Sequence, residues 1–325
     1  MNATQLLADY KKAVKQLAKI YNNNVASILK LKVNRTIKQN NLNNLKIQFQ
    51  KNMANLKAKY DADLLLLNIP TVTPSVSNKK ALLIGINYNG TSSQLNGCIN
   101  DINSVSTILT SKYAFNPDSI IKITDETIQK PTRDVILESF AQFLASGAEG
   151  DLLFFCYSGH GSYTLDRNND ENNANDEMII ASDLKGIVDD ELKALIQTNL
   201  KKNVTLFALF DSCFSGTVLD LKYQYLDSLA NDASTVNNNE TETIGNVIMI
   251  SGCNDEQTSA DAYVDKKYQG AMTWAFISVI TTVAAPLSWR DLLIKMRDKL
   301  KTSQFTQLPQ LSSGCFIDIN NVVSF

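Results

Sequence analysis

The chain has 325 residues, 44% of them hydrophobic and 20% charged, with 13 glycines and five cysteines. Such proportions suit a globular protein of two domains, or one domain with an extension, and exclude a wholly disordered chain, a collagen and a small disulfide scaffold. The net charge of −2 conceals a division: residues 1–69 carry twelve Lys/Arg against three acids, net +9, whereas the remainder carries 19 basic against 30 acidic residues, net −11.

The first 69 residues lack both Gly and Pro and are rich in Lys, Leu, Ala, Gln and Asn, which predicts helix. Leu6, Leu7, Val14, Leu17, Ile20 and Tyr21 recur at helical spacing, and a second amphipathic run covers Ile37 to Leu67. The Asn-rich stretches Asn22–Asn24 and Asn40–Asn44 are the expected breaks. The lysines are dispersed, which favours a solvated helical hairpin packed on the acidic domain over an arm for nucleic acid or membrane. No continuous apolar core of signal-peptide type is present, and Arg35 is the only arginine in the acid-free stretch 10–60, against a transit peptide.

Residues 70–79 lie in a Pro/Ser/Thr linker, and an α/β domain is expected over 80–325. Its expected strands are Ala81–Ile86, Ser119–Ile123, Asp151–Tyr157, Val204–Phe210, Val247–Ser251 and Cys315–Ile319. Helices are expected at Arg133–Ser146, Asp190–Leu200, 270–284 and 289–302. Continuous apolar strands alternating with helices predict a mainly parallel sheet covered on both faces. Residues 222–245 are polar and Asn-rich and read as a loop or disordered insert. The longest uncharged run, Tyr268 to Trp289, is diluted by Gln269, Ser278, Thr281, Thr282 and Pro286, so a buried helix is expected and no membrane span. The cysteines (Cys98, Cys156, Cys213, Cys253, Cys315) are odd in number and widely spaced with no CxxC pair, which favours a reducing compartment and a cytoplasmic location.

The chain's single histidine, His160, stands between Gly159 and Gly161 directly after the apolar run 151–157. Flanking glycines suit an exposed turn, and the C-terminal edge of a parallel sheet is where open α/β folds build their sites. A second apolar run, 204–210, ends in Asp211-Ser212-Cys213-Phe214-Ser215-Gly216. A cysteine leaving a strand among small polar residues is placed to be a nucleophile once a histidine takes its proton, whereas Cys156 sits within an apolar strand as a buried thiol. No third triad member is evident.

The segments SGHG and DSCFSG, with His160 and Cys213 53 positions apart, resemble the clan of caspase-like cysteine peptidases. The Gln-Ala-Cys core of caspases is absent. The surrounding residues resemble a metacaspase: Leu82-Leu83-Ile84-Gly85-Ile86-Asn87-Tyr88, Gly97-Cys98-Ile99-Asn100-Asp101, Val188-Asp189-Asp190-Glu191-Leu192, Asp255 to Asp261, Gly270-Ala271-Met272-Thr273-Trp274 and Pro309-Gln310-Leu311-Ser312. The likeness covers about 80–320 and leaves residues 1–75 outside it. It implies a caspase-like α/β fold with a mainly parallel sheet of six or more strands flanked by helices, preceded by an α-helical, prodomain-like extension, in the type I manner.

What the resemblance implies for the site is a Cys213/His160 dyad cleaving after Arg or Lys. The amides of Gly161 and Cys213 would form the oxyanion hole, and Asp101, Ser158 and Asp211 would form the pocket for a basic P1 side chain. Asp101 has an alternative as a helix N-cap before Ile102–Leu109, and Asp211 as a carboxylate ordering its turn. The family pattern also implies Ca2+, held by Asp189 and Asp190 with Asp176 and Asp220 as partners. The stretch 166–176 lacks the Gly and terminal Glu of an EF-hand and reads as a solvated loop. Lys222, the first basic residue past the catalytic turn, is the candidate for self-cleavage; a solvated surface lysine is the alternative. The expected partners are protein or peptide substrates with a basic P1, and a monomer is expected. Two other classes compete: a non-catalytic caspase-fold scaffold or aggregate-binding protein, which loss of the dyad would favour, and a basic-arm nucleic-acid-binding module, which the absence of Arg clusters disfavours.

Overall fold

The computed structural model describes residues 3–66, 78–165, 175–213, 218–225, 234–237, 240–252, 261–265, 267–283 and 286–325. The chain forms two compact units, 1–75 and 76–325.

The first unit holds α1 (Ala3–Lys30) and α2 (Arg35–Leu66). Tyr10 stacks on Tyr60 with ring centroids 4.5 Å apart, and Tyr21 packs on Phe49 at 4.6 Å, so the two helices pair as a hairpin. Both run through the Asn-rich stretches at which breaks were expected. The helical penalty of an Asn is below about 1 kcal/mol and does not stop a helix that has a partner. The chain turns instead at 31–34, where Asn34 Oδ1 accepts from Ile37 N (2.9 Å) and so caps α2.

In the second unit the strands are β1 (Lys79–Gly85), β2 (Ile120–Thr124), β3 (Leu152–Ser158), β4 (Gly161–Leu165), β5 (Asn175–Ile180), β6 (Gly186–Val188), β7 (Thr205–Asp211), β8 (Tyr223–Tyr225), β9 (Ser234–Val236), β10 (Asn246–Ser251), β11 (Asp261–Val264), β12 (Lys267–Gly270) and β13 (Gln310–Ser313). The helices are α3 (Cys98–Ser111), α4 (Arg133–Ala145), α5 (Asp189–Asn199), α6 (Ala271–Thr282) and α7 (Trp289–Thr302). The main sheet has eight strands in the order β2-β1-β3-β7-β10-β13-β8-β9. Its first five are parallel and its last three join antiparallel.

Alternation along the central strands sends successive side chains to two cores. Ala81, Leu83, Phe154, Phe207 and Leu209 meet α3, α6 and α7, while Leu82, Ile84, Leu153, Phe155, Leu206 and Ala208 meet α4 and α5. Burial on both faces is why these strands read as unbroken apolar runs. The uncharged run near 268–289 contains α6, buried along most of its length, and no described helix is long and apolar enough to cross a membrane.

Two expectations need correction. The last strand is Gln310–Ser313, not Cys315–Ile319. Its polar side chains are buried where it pairs with β10 and β8, and pairing geometry outweighs the better apolar pattern that follows. Within 222–245, residues 223–225 and 234–236 are strands closing the sheet edge, not loop; residues 226–233 lie outside the described residues, as do 67–77 of the linker region and 166–174 of the Asn-rich loop.

Candidate active site

β3 and β7 are parallel neighbours whose last rung pairs Ser158 with Asp211. Both chains leave the sheet there, so His160 and Cys213 each follow the same rung by two residues. Gly159 N donates to Asp211 O across the departure (3.3 Å). A Cβ on Gly161 would collide with the carbonyl oxygen of Cys213, and one on Gly159 would lie 2.6 Å from the Tyr157 hydroxyl and 2.9 Å from that of Tyr88. The two glycines are therefore required for close approach, not for a left-handed turn, since neither has positive φ. Cys98, Cys156, Cys213 and Cys315 carry thiols; burial pushes the Cys156 thiol well up, which leaves it inert, whereas Cys213 is half-buried at the loop.

The imidazole of His160 is oriented from outside the strand. Nε2 lies 2.7 Å from the carbonyl oxygen of Ser93. A carbonyl only accepts, so Nε2 carries the hydrogen and Nδ1 is left as the basic nitrogen. Tyr88 packs its ring on the imidazole at 4.6 Å.

Three residues expected to form a pocket do come together. Ser158 Oγ donates to Asp101 Oδ2 (2.7 Å), and Gly270 N donates to both Asp101 oxygens (3.0 Å each). Thr273 N, in the first turn of α6, donates to Asp211 Oδ2 (2.8 Å), where the helix dipole favours an anion. Asp101 and Asp211 are 1% and 3% exposed. Asp101 is not the N-cap of α3: Gly97 holds that place and Asp101 lies inside the first turn, aimed at Ser158.

Asp189, Asp190 and Asp220 bring one carboxylate oxygen each to within 4.8 Å of one another. Asp189 and Asp190 open α5, and Asp220 adopts a left-handed φ of +45°. Burial and then the charge of Asp220 push the Asp189 carboxyl far above the usual carboxylate range. Three oxygen donors under mutual repulsion are a set that a hard divalent cation fits. Asp176 does not join them: it is buried in β5 at the rung facing Thr164, one residue before the amide (Glu177 N) that Asp189 Oδ2 accepts at 2.6 Å. The alternation of a strand turns neighbouring side chains to opposite faces, which a spacing argument does not capture.

Lys222 is half-buried, not a solvated surface residue. Its Nζ donates to Glu240 O, and its carbonyl accepts from Asn237 N (2.9 Å). Sequence reading missed Ser93, Tyr88, Tyr157 and Gly270, and also Lys193, whose Nζ lies 2.7 Å from Glu240 Oε1 and 3.6 Å from Asp220 Oδ2. None carries a motif signal of its own apart from Tyr88 and Gly270, which stand in segments whose resemblance was noted.

Residues 79–222 match the family described as metacaspase, peptidase C14 domain. The chain is 36% identical to Metacaspase-1 of Kluyveromyces lactis over 293 residues, covering 74% of this chain and 67% of that protein. It is also 36% identical to Metacaspase-1 of Meyerozyma guilliermondii, over 74% of this chain and 71% of the relative. A solved structure of a Geobacter sulfurreducens protein aligns with a TM-score of 0.55 at 23% identity, over 74% of this chain and 95% of that one, a likeness of fold. With His160 and Cys213 at adjacent strand ends of this α/β sheet, the chain belongs to the metacaspase family of C14 cysteine peptidases.

Proposed function

We propose that the protein is a calcium-dependent cysteine endopeptidase that cleaves after Arg or Lys, with Cys213 as nucleophile and His160 as base. The observation that supports this reading is the Ser158–Asp211 rung, beyond which His160 and Cys213 follow at the ends of adjacent strands.

In the proposed reaction His160 Nδ1 takes the thiol proton, and the Cys213 sulfur forms a bond to the scissile carbonyl carbon. The Gly161 and Cys213 amides receive the oxyanion. His160 returns its proton to the leaving amine as the C–N bond breaks, and then deprotonates the water that hydrolyses the thioester. Two buried carboxylates of like charge are unfavourable without a cation, and a P1 guanidinium or ammonium between Asp101 and Asp211 supplies it. Asp189, Asp190 and Asp220 would hold calcium, which supplies positive charge beyond the single ammonium of Lys193 near Asp220. Lys222 is the proposed self-cleavage residue; its ties to Glu240 and Asn237 mean that its segment must loosen before a protease cleft accepts it.

The test is turnover of Arg-, Lys- and Asp-P1 fluorogenic peptides across a calcium titration, with Cys213→Ala as blank. Turnover restricted to Arg and Lys, and lost in chelator, supports the proposal. Calcium-independent turnover would refute the metal role, and turnover of Asp-P1 alone would refute the pocket.

A further inference from the structure

Beneath the histidine loop lie two buried phenols that the proposed reaction does not use. We propose that Tyr88, fixed in a left-handed conformation by Asp125, is a positioning residue that sets the place and plane of the His160 imidazole. This rests on the cysteine peptidase reading and adds to it a residue outside the dyad.

Tyr88 has φ +53° and is 1% exposed. A bulky residue in that region is an outlier and persists only where its surroundings over-determine it. They do so here. Asp125 Oδ2 accepts from Tyr88 N (3.1 Å) and from Asn87 N; Thr91 N (3.1 Å) and Thr91 Oγ1 (2.8 Å) both donate to Tyr88 O. The turn swings the phenol inward beneath His160 instead of along the strand. Its hydroxyl accepts from His160 N (2.8 Å) and donates to Ile180 O (2.7 Å). The second phenol, Tyr157, lies 3.2 Å away and donates to His160 O (2.8 Å). The peptide groups on either side of the His160 Cα are thus each gripped by a phenol.

The segment that starts at Tyr88 holds the ring as well. Tyr88 tilts at 39° against the imidazole, and five residues on, Ser93 O meets Nε2. One loop therefore fixes the catalytic base at its amide, its ring face and its distal nitrogen. Burial raises the Tyr88 hydroxyl above its ordinary range, so it stays protonated and keeps its donation to Ile180 at any working pH. A tyrosine serving only as core would use its ring; here the single hydroxyl oxygen sits at the junction of three chain segments.

Tyr88→Phe removes that oxygen and little volume, leaving His160 N–H without its acceptor. Asp125→Asn leaves Tyr88 unaltered but weakens the turn. Each is compared with Phe140→Leu, a core change at a ring that packs on Phe155 and has no polar group to bond the His160 backbone. For Tyr88→Phe we expect kcat to fall by about 10- to 100-fold, the usual consequence of sub-ångström misplacement of a catalytic group. KM for an Arg-P1 peptide should stay within about twofold, because Asp101 and Asp211 are untouched. The pH midpoint for iodoacetamide alkylation of Cys213 should move up by about one unit as the imidazole loses its hold on the thiol. Asp125→Asn should follow in both readouts, and Phe140→Leu should lower the thermal midpoint while leaving both unchanged. Unchanged kcat and alkylation profile in a folded Tyr88→Phe protein would overturn the proposal. Should that variant not fold, the same two measurements on Asp125→Asn decide. A wild type without turnover on any peptide whose alkylation profile still shifts in Tyr88→Phe would sink the peptidase reading and leave the role of Tyr88 standing.

Discussion

Asp101 and Asp211, 110 residues apart in sequence, converge on one backbone position: a Cβ on Gly270 would stand 2.8 Å from Asp101 Oδ2 and 2.7 Å from Asp211 Cγ. Each carboxylate is held by amides, Gly270 N for Asp101 and Thr273 N for Asp211, so neither can swing away to relieve repulsion. Replacing either with Asn keeps the shape and removes half of the negative field. Loss of one partner of a buried charge pair costs about 2–5 kcal/mol, so kcat/KM on an Arg-P1 peptide should fall by about 10²- to 10³-fold in Asp101→Asn and in Asp211→Asn. Turnover of a neutral P1 peptide should hold or rise. Equal losses on both peptides would mean that the carboxylates support the fold and not the pocket.

Under the proposed mechanism, substitutions at two glycines should separate binding from chemistry. Gly270→Ala places a methyl among the pocket oxygens, whereas Gly161→Ala drives one into the Cys213 carbonyl. Steady-state kinetics on one Arg-P1 peptide should show the first chiefly as a rise in KM and the second chiefly as a fall in kcat, each by about tenfold or more. If both variants change the same parameter, pocket and nucleophile are not the separate units described above.

β3 and β7 were legible because burial on both faces writes a continuous apolar run, and the residues just past them, His160 and Cys213, inherit their place from the strands. β13 was misplaced because Gln310–Ser313 are polar yet buried, held by the strands on either side. Asp189 and Asp190 were legible as adjacent acids at a helix start; the failure of Asp176 to join them depends on strand phase. Tyr88 stands in the family-like segment Leu82–Tyr88, which gives it no role of its own. Its contribution comes from a positive φ imposed by Asp125, 37 residues on, and no periodicity reports such a turn. Lys193 and Glu240 likewise meet only through the fold.

The ties on Lys222 make its accessibility measurable. In a Cys213→Ala protein, which cannot process itself under the proposed mechanism, trypsin should cut after Lys222 slowly in chelator, because its Nζ and carbonyl are both engaged and the strand Tyr223–Tyr225 follows at once. Calcium should accelerate that cut several-fold if the metal loosens the segment, as read by mass spectrometry of the fragment ending at Lys222. Identical rates with and without calcium would detach self-cleavage at this residue from the metal.

Lys193 connects the two regions. Its ammonium lies 3.6 Å from Asp220 Oδ2 and 2.7 Å from Glu240 Oε1, and the carbonyl of Glu240 is the group that holds Lys222. The side chain is 16% exposed, so its charge is poorly screened and already offsets part of the acidic cluster. Under the proposed calcium role, an ion at Asp189, Asp190 and Asp220 would compete with that ammonium for Asp220. Lys193→Met keeps the aliphatic stem and removes the competitor. Calorimetric titration in the Cys213→Ala background should then give calcium affinity about tenfold tighter, equivalent to about 1.4 kcal/mol. The metal-free protein should unfold at a lower temperature, since Asp220 and Glu240 lose their cation, and the gap between the calcium-bound and chelated midpoints should widen. Asp189→Asn should do the reverse, weakening calcium by more than about tenfold and narrowing that gap. A Lys193→Met protein that binds calcium no more tightly than its parent would show that the ammonium and the metal do not contend for the same oxygen.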